Sequence, residues 1–299
     1  MVFIRKDIEL LTNRIQHYLS REGIRLTTAD TTKAAAEAEA IHHLPGLSAV
    51  ILAKVMTGAA ILTNDFKNHE GVSFKWVTGS ELGNIHADAY EGHFVRGFLD
   101  HPEAGAGKAV SAADEADLVS RRGQLFVTRY SLLKLPYTSA VNLEHGDVAA
   151  GLTSYLNTSE QTLSAVSLQV KLDADGNIIH SAGFLAQLMP KGNLAAFAGY
   201  FRDLAQWDLS ADAGSPHSME TLLAKGKFEL LEEGPVSFRC TCSEERIRAS
   251  LVSLPEQEKE KLLEAPSQEI VCHYCGRKYT IAREVLKKWF EDAKGALCQ

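Results

Sequence analysis

Cysteine is scarce in this chain. Five of its 299 residues are cysteine, and four of these fall between positions 240 and 275. A secreted disulfide scaffold carries many cysteines in a short chain, so this class of protein is excluded. Clustered cysteines in a chain otherwise so poor in them indicate metal or redox chemistry instead.

A membrane-length apolar run is also missing. The most apolar stretch, residues 47–62, is short for a bilayer span and carries Lys54 in its middle, so we interpret it as a buried core helix. Near the start of the sequence, Arg5, Lys6 and Asp7 interrupt the apolar stretch too early for a signal peptide. We therefore expect a cytoplasmic protein in a reducing compartment, without a membrane partner.

Positive charge is in deficit, because 31 basic residues face 38 acidic ones and the formal net charge is −7. This balance repels nucleic acid and anionic lipid on average. The sequence contains no Walker phosphate-binding loop, no dinucleotide fingerprint and no nucleophile elbow. We therefore expect neither a nucleotide partner nor an enzymatic activity, and nucleic acid is disfavoured as a partner.

The helix and strand signals in the sequence predict an α+β fold with a large amino-terminal mixed α/β core. Thr31 or Thr32 is expected to cap an alanine-rich helix, and the helix at 47–62 follows it. Segments rich in β-branched and aromatic residues then predict the strands of a mixed sheet, at 71–78, 84–99, 123–132 and 165–172.

Two local signals refine this prediction. Asp175-Gly176 favours the positive φ angles of a tight turn, so the segment after residue 172 is expected to return as a hairpin. Asp147 stands where it can cap a helix running from Gly146 to Leu156.

The character of the sequence changes at Pro190. Apolar residues at spacings of three and four predict an amphipathic helix, and a shorter helix is expected at 219–226. The apolar residues of the longer helix are Leu194, Phe197, Tyr200, Phe201, Leu204 and Trp207. We predict a core domain at 1–189, a partly helical linker at 190–235 and a small domain with the four clustered cysteines at 236–299. A unit as small as the last usually needs a metal or disulfide to stabilise its core.

The four clustered cysteines have the spacing of a metal site. Cys240 and Cys242 form a C-x-C pair, and Cys272 and Cys275 form a C-x-x-C pair after a gap of 29 residues. Four thiolates complete a closed tetrahedral zinc site. His273 is an alternative ligand, although its position between two cysteines is expected to turn it away from the metal.

Spacing alone leaves two interpretations of this site. In the first, a zinc ribbon only stabilises a small fold. In the second, the site is also a redox sensor, because zinc keeps the sulfurs as reactive thiolates and C-x-C holds two of them close together. Zinc contributes on the order of 10 kcal/mol to folding such domains, so oxidation of its ligands is expected to unfold this one.

Several stretches together resemble one known family, the heat shock protein 33 family of redox-regulated bacterial chaperones. The resemblance rests on CTCSEER, CHYCGRKY, GDVAAGLTSYLNTSEQ and AGFLAQLMP. Generic zinc ribbons do not carry the two upstream stretches. Cys298 lies outside the family motif, and the first hundred residues match less well.

The resemblance implies a holdase that binds unfolding client proteins under oxidative stress without ATP. It implies one zinc per chain in the inactive reduced form, bound by the four clustered cysteines. Oxidation would form Cys240–Cys242 and Cys272–Cys275 disulfides, release zinc, unfold the carboxy-terminal domain and loosen the linker. A homodimer of the oxidised form is also expected.

Two alternatives remain open from the sequence. The linker residues Phe197, Tyr200, Phe201, Leu204 and Trp207 are candidates for client binding, but they are equally compatible with permanent packing against the sheet. A rival function is a constitutive zinc-ribbon module that binds nucleic acid or a protein partner. Its basic face would consist of Arg277, Lys278, Lys287 and Lys288.

Overall fold

The computed structural model describes residues 13–63, 70–120, 122–131, 134–202, 206–210, 215 and 218–296. The chain divides into two compact units, Met1–Arg239 and Cys240–Gln299. Within the described residues, no helix is both long enough and apolar enough to cross a bilayer.

The first unit is built mainly from β-strands. These are β1 (Arg14–Ser20), β2 (Ile24–Asp30), β3 (Gly71–Val77), β4 (Asn84–Tyr90), β5 (Phe94–Leu99), β6 (Gln124–Ser131), β7 (Lys134–Asn142), β8 (Ser164–Leu172), β9 (Ile178–Leu188), β10 (Phe228–Pro235) and β11 (Ser237–Phe238). Its helices are α1 (Thr32–His42), α2 (Gly46–Ile61), α3 (Ala112–Val119), α4 (Val148–Thr158), α5 (Leu194–Phe201) and α6 (Met219–Lys225).

The strands form two sheets rather than the one mixed sheet that the sequence suggested. The first sheet has the order β10-β1-β2-β9-β8, with every neighbouring pair antiparallel. The second has the order β11-β5-β4-β3-β6-β7, and only the two-residue β11 pairs in parallel. Short turns account for the antiparallel pairing of strands that are consecutive in the sequence, such as β3 with β4 and β8 with β9. The α+β class itself is confirmed.

Helix α2 forms the centre of the core, as its apolar sequence predicts. Fourteen of its sixteen residues are buried, and it packs on strands of both sheets. Lys54 is accommodated because its ammonium group lies 2.6 Å from the carboxylate of Glu115 on α3. A helix apolar on all sides is typical of such a fully buried position.

The predicted hairpin and the predicted cap are both confirmed. Strands β8 and β9 pair through a turn in which Gly176 has a φ of +89°. The side chain of Asp147 accepts a hydrogen bond from the amide of Ala150, 2.7 Å away, at the start of α4.

The cap of α1 differs from the prediction. Thr31 occupies the N-cap position but makes no capping bond with its side chain. Its hydroxyl instead lies 2.6 Å from that of Thr57 and 3.0 Å from that of Ser181. The carboxylate of Asp30 accepts the amide hydrogen of Thr32 in its place.

Described parts of the predicted linker pack on the outer face of the first sheet. The apolar side chains of this face pack with α5 and α6 in one cluster of buried residues. Its members are Tyr18, Ile24, Leu26, Ala165, Phe184, Ala186, Phe197, Phe201, Trp207 and Leu222. The opposite face of the sheet contributes to the main core, so this sheet is buried on both sides.

The start of the linker is attached to the β1–β2 turn. The carbonyl of Gly23 accepts the amide hydrogen of Met189 at 2.9 Å, and that of Glu22 accepts the amide hydrogen of Asn193 at 2.8 Å. Gly23 has a φ of +70°, and a Cβ atom there would lie 2.8 Å from the Cα atom of Gly192. Only glycine fits this approach without displacing the backbone.

The second unit is small and has little core. Its elements are α7 (Glu244–Val252), α8 (Glu256–Leu262), β12 (Ser267–Val271), β13 (Lys278–Ala282) and α9 (Arg283–Ala296). Among its described residues, four hydrophobic side chains are buried, namely Ile281, Leu286, Trp289 and Phe290. Helices α7 and α8 contain no buried residue.

Candidate metal centre

Two local structures present the four clustered cysteines. Cys240 and Cys242 lie in the extended chain just before α7, whose first turn is capped by the side chain of Ser243. Cys272 and Cys275 lie in the turn that joins β12 to β13. Residues that are at least thirty positions apart in the sequence therefore meet at one end of a hairpin.

The hairpin turn has the form expected for a zinc knuckle. The amide of Cys272 donates to the carbonyl of Arg277 at 2.9 Å, and the amide of Gly276 donates to the carbonyl of Cys272 at 2.8 Å. Gly276 has a φ of +68°, which glycine adopts without strain. The tight turn directs both thiols of the C-x-x-C pair to the same side.

The sulfur positions fit a four-coordinate metal ion. All four Sγ atoms lie within 4.8 Å of one another. The Sγ atoms of Cys240 and Cys272 are 3.7 Å apart, and those of Cys242 and Cys275 are 3.4 Å apart. Four thiolates around a tetrahedral zinc ion, each about 2.3 Å from it, are about 3.8 Å apart. The cluster is therefore able to hold a metal ion.

The electrostatics of the thiols also favour a cation. Burial alone would raise the pKa of Cys242, but hydrogen bonds from Tyr279 and the neighbouring thiols outweigh it and lower the pKa to about 7. Burial raises the pKa of Cys275 to about 12 and raises that of Cys272 as well. Several thiolates therefore cannot form together without a positive charge between them, which a divalent ion supplies.

Neither His273 nor the basic face takes part in this cluster. His273 is exposed and is not among the grouped ligand atoms. The four basic residues proposed for the rival function are exposed, and Lys278 pairs with Glu269 at 3.0 Å. Residues 240–299 carry ten basic and ten acidic side chains, so the unit has no excess of positive charge for a phosphate backbone.

The structure places most of the linker candidates in the interior. Phe197, Phe201 and Trp207 are 6%, 5% and 8% exposed. The ring of Phe201 lies 5.7 Å from that of Phe184 on the sheet, and the half-buried Tyr200 contacts the same cluster. The side chains of Phe197, Phe201 and Trp207 are thus covered.

The helix that carries them is shorter than predicted. It ends at Phe201, and Trp207 follows in non-helical backbone, held through hydrogen bonds of Gln169 to the carbonyl of Trp207 and the amide of Leu209. Trp207 is therefore not part of the helix that the spacing predicted. Leu204 and Cys298 lie outside the described residues.

Two features of these sites were not predicted from the sequence. The hydroxyl of Tyr279 donates a hydrogen bond to the sulfur of Cys242 at 3.1 Å, and β10 extends the first sheet. Tyr279 lies two residues before the buried Ile281, so both side chains lie on one face of β13. This spacing is the sequence signal that could have indicated a role for Tyr279.

Comparisons with known proteins agree with these features. The family model described as Hsp33 protein matches residues 13–282. A 33 kDa chaperonin of Desulforamulus reducens is 29% identical over 285 residues, covering 92% of this chain and 97% of that protein. A 33 kDa chaperonin of Listeria welshimeri is 30% identical over 294 residues, with 92% and 97% covered.

A solved structure shares the fold. The crystal structure of the 33 kDa chaperonin from Thermotoga maritima superposes with a TM-score of 0.80 at 22% identity, covering 95% of this chain and 99% of that one. The family match spans nearly the whole chain, including the four-cysteine cluster. The chain therefore belongs to the Hsp33 family of redox-regulated chaperones, which are holdases and not enzymes.

Proposed function

We propose that Cys240, Cys242, Cys272 and Cys275 bind one zinc ion in the reduced protein, and that this ion keeps the chaperone inactive. One observation carries the proposal: four sulfurs lie within 4.8 Å of one another in a unit with only four buried hydrophobic side chains among its described residues. Such a unit depends on its metal for folding, since zinc contributes on the order of 10 kcal/mol in comparable domains.

Oxidation removes this support in a specific way. The family resemblance indicates Cys240–Cys242 and Cys272–Cys275 disulfides, each formed within one motif. Zinc links the chain before α7 to the β12–β13 turn, whereas these two disulfides do not. The cross-link between the halves of the unit is therefore lost when the disulfides form, and the entropy that it removed from the unfolded chain is restored.

Unfolding of the second unit exposes the client-binding surface. From Leu194 onward, the linker packs α5, Trp207 and α6 on the outer face of the first sheet. We assign client binding to that face together with Phe197, Tyr200, Phe201, Leu204 and Trp207. Keeping this segment ordered costs roughly 1 to 2 kcal/mol per residue in backbone entropy. Loss of the folded zinc unit, helped by mild heat, shifts that balance toward exposure.

The proposal includes the partners and the compartment. Clients are unfolded or unfolding proteins, no nucleotide is needed, and the oxidised form pairs with a second copy of itself. The protein acts in the cytoplasm, where thiols are kept reduced until oxidative stress.

The test is a light-scattering assay of a thermally unfolding model enzyme, with zinc release recorded in parallel. Peroxide-treated protein is expected to suppress aggregation without ATP, and reduced protein is not. Suppression that is equal in both forms, or that appears only with ATP, would contradict the proposal. RNA binding by the zinc form with no change in client aggregation would support the rival function.

A further inference from the structure

Strand β10 occupies the edge of the first sheet. All seven residues of β1 have a partner on β10, from Arg14 opposite Pro235 to Ser20 opposite Phe228, with one irregularity after His17. Without β10, the outermost strand on this side of the sheet would be β1. The linker therefore supplies an extended segment to an edge that can accept one.

Apart from Phe228, the side chains of β10 contribute little to this attachment. Residues 229–233 are all exposed, and Leu230 and Leu231 are 48% and 63% exposed. The ion pairs Arg14–Glu233 and Arg21–Glu229 are also exposed and measure 3.2 and 3.8 Å, so each is weak. The strand is held mainly by its backbone hydrogen bonds, and a different sequence can make the same bonds.

The direction of the backbone groups of β1 follows from two hydrogen bonds. The carbonyl of Asn13 accepts the amide hydrogen of Val236 beside β10, at 2.8 Å. The carbonyl of Ser20 accepts the amide hydrogen of Gly23 on the other side of β1, at 3.1 Å. Because backbone groups alternate along a strand, those of Ile15, His17 and Leu19 point toward β10.

The edge is continuous with the apolar face that the linker covers. Tyr18 of β1 belongs to the cluster that packs under α5 and α6, and Phe228 of β10 packs against the same cluster. Release of one segment, 194–235, would therefore expose a face and an edge that meet at β1. An extended peptide placed on this edge gains both backbone hydrogen bonds and apolar contacts.

We infer that β1 binds an extended segment of the unfolded client by antiparallel strand addition, in the place that β10 occupies in the closed protein. Alternate apolar side chains of the client lie over the exposed face near Tyr18. Arg14 and Arg21, which pair with glutamates of β10, favour clients with acidic residues beside the apolar ones. This inference rests on the proposed function, because it needs the linker to be released.

Hydrogen exchange on the full chain tests the inference. Oxidised protein alone is expected to show faster exchange at Ile15, His17 and Leu19 than reduced protein. A chemically unfolded model client should restore protection at these amides. If these amides stay protected on oxidation, or remain unprotected with client bound, the inference is wrong. Protection that returns without client as protein concentration rises would assign the edge to a second copy and would also overturn it.

A pair of variants tests the backbone directly. Leu19→Pro removes an amide that faces β10 in the closed protein and the sheet edge once β10 is released, a position where proline is tolerated in strands. Leu19→Ala keeps the amide and removes the side chain. The amount of oxidised Leu19→Pro needed for half-maximal protection should rise several-fold over that of Leu19→Ala. Equal values would exclude strand addition.

The variant comparison distinguishes failure of this inference from failure of the proposed function. Aggregation is measured on the wild-type protein in the same experiment, so a chain that never protects a client contradicts the proposed function instead. If Leu19→Pro fails to fold, the exchange experiment on the wild type still decides the inference.

Discussion

The hydroxyl of Tyr279 donates a hydrogen bond to the sulfur of Cys242 across 3.1 Å. This bond stabilises the thiolate and contributes to the lowered pKa of Cys242. Tyr279 thus supports the metal centre from outside the set of four cysteines.

Tyr279→Phe is expected to weaken zinc binding about tenfold, the lower end of the effect of losing an outer partner of a ligand. Without the hydroxyl, the pKa of Cys242 rises and zinc must displace a more tightly held proton. Competition with a chromophoric chelator at pH 7 measures the change. Tyr137→Phe, in the first unit, is the control, and equal affinities for the two variants would contradict the prediction.

The zinc content should depend on the four clustered cysteines and not on Cys298. Reduced wild-type protein and Cys298→Ser are expected to contain one zinc per chain, and Cys272→Ser to lose most of it because a closed site needs all four ligands. Elemental analysis of purified reduced protein measures this. Loss of zinc in Cys298→Ser would refute the proposed ligand set.

The buried pair Lys54–Glu115 should be strongly coupled. Burial raises the pKa of Glu115 in spite of the lysine, so removal of Lys54 leaves a carboxylate in the core without its counter-charge. Lys54→Met is expected to destabilise the protein by about 3 to 5 kcal/mol, and Lys54→Met/Glu115→Leu to recover most of this loss. Denaturant unfolding of both variants measures the coupling, and additive losses would show that the pair is independent.

Stability should fall in mild acid, partly because of His93. Burial lowers the pKa of His93, with Glu232 as a weaker opposing influence. The unfolded chain therefore binds more protons than the folded one as pH falls below the ordinary value of about 6.5, and stability decreases there. His93→Asn, which suits the positive φ of 57° at this position, should reduce the loss between pH 7.5 and 5.5. An identical loss in the variant would exclude His93 as a cause.

Oxidation should unfold the second unit and spare the main core. We expect fast hydrogen exchange from about Phe238 onward, intermediate exchange across 194–231 and slow exchange in 48–62, because zinc supports only the small unit directly. Uniform protection in oxidised protein would refute the switch. Uniform loss would show that zinc supports the whole fold.

The sequence predicted best those features that depend on neighbours in the chain. Helix α2, the Asp147 cap and the turn at Gly176 each follow from a few consecutive residues. The cysteine cluster was equally predictable, because metal-ligand spacing is itself a local pattern. The family resemblance then connected these separate signals to a redox function.

The features that were missed depend on distant partners. Arg14 and Glu233, which join β1 to β10, are 219 positions apart, and β10 lacks alternation because both of its faces are exposed. Thr31 was expected to cap α1, but Thr57 and Ser181 from other elements compete for its hydroxyl. The backbone at Trp207 likewise accepts a hydrogen bond from the side chain of Gln169, a distant partner that no helical period contains.

The attachment of Met189 and Asn193 to the β1–β2 turn determines how the open state can close. The anchor lies before the segment proposed to open, so a released linker remains tethered beside its own binding face. A flexible chain of about 45 residues spans roughly 40 Å, which corresponds to a local concentration in the millimolar range. A bound client therefore competes with the linker, which is part of the same chain. Return of the linker to its binding face does not depend on protein concentration. Under the proposed switch, rebinding of zinc would refold the second unit and favour return of the linker, so client release would need no nucleotide.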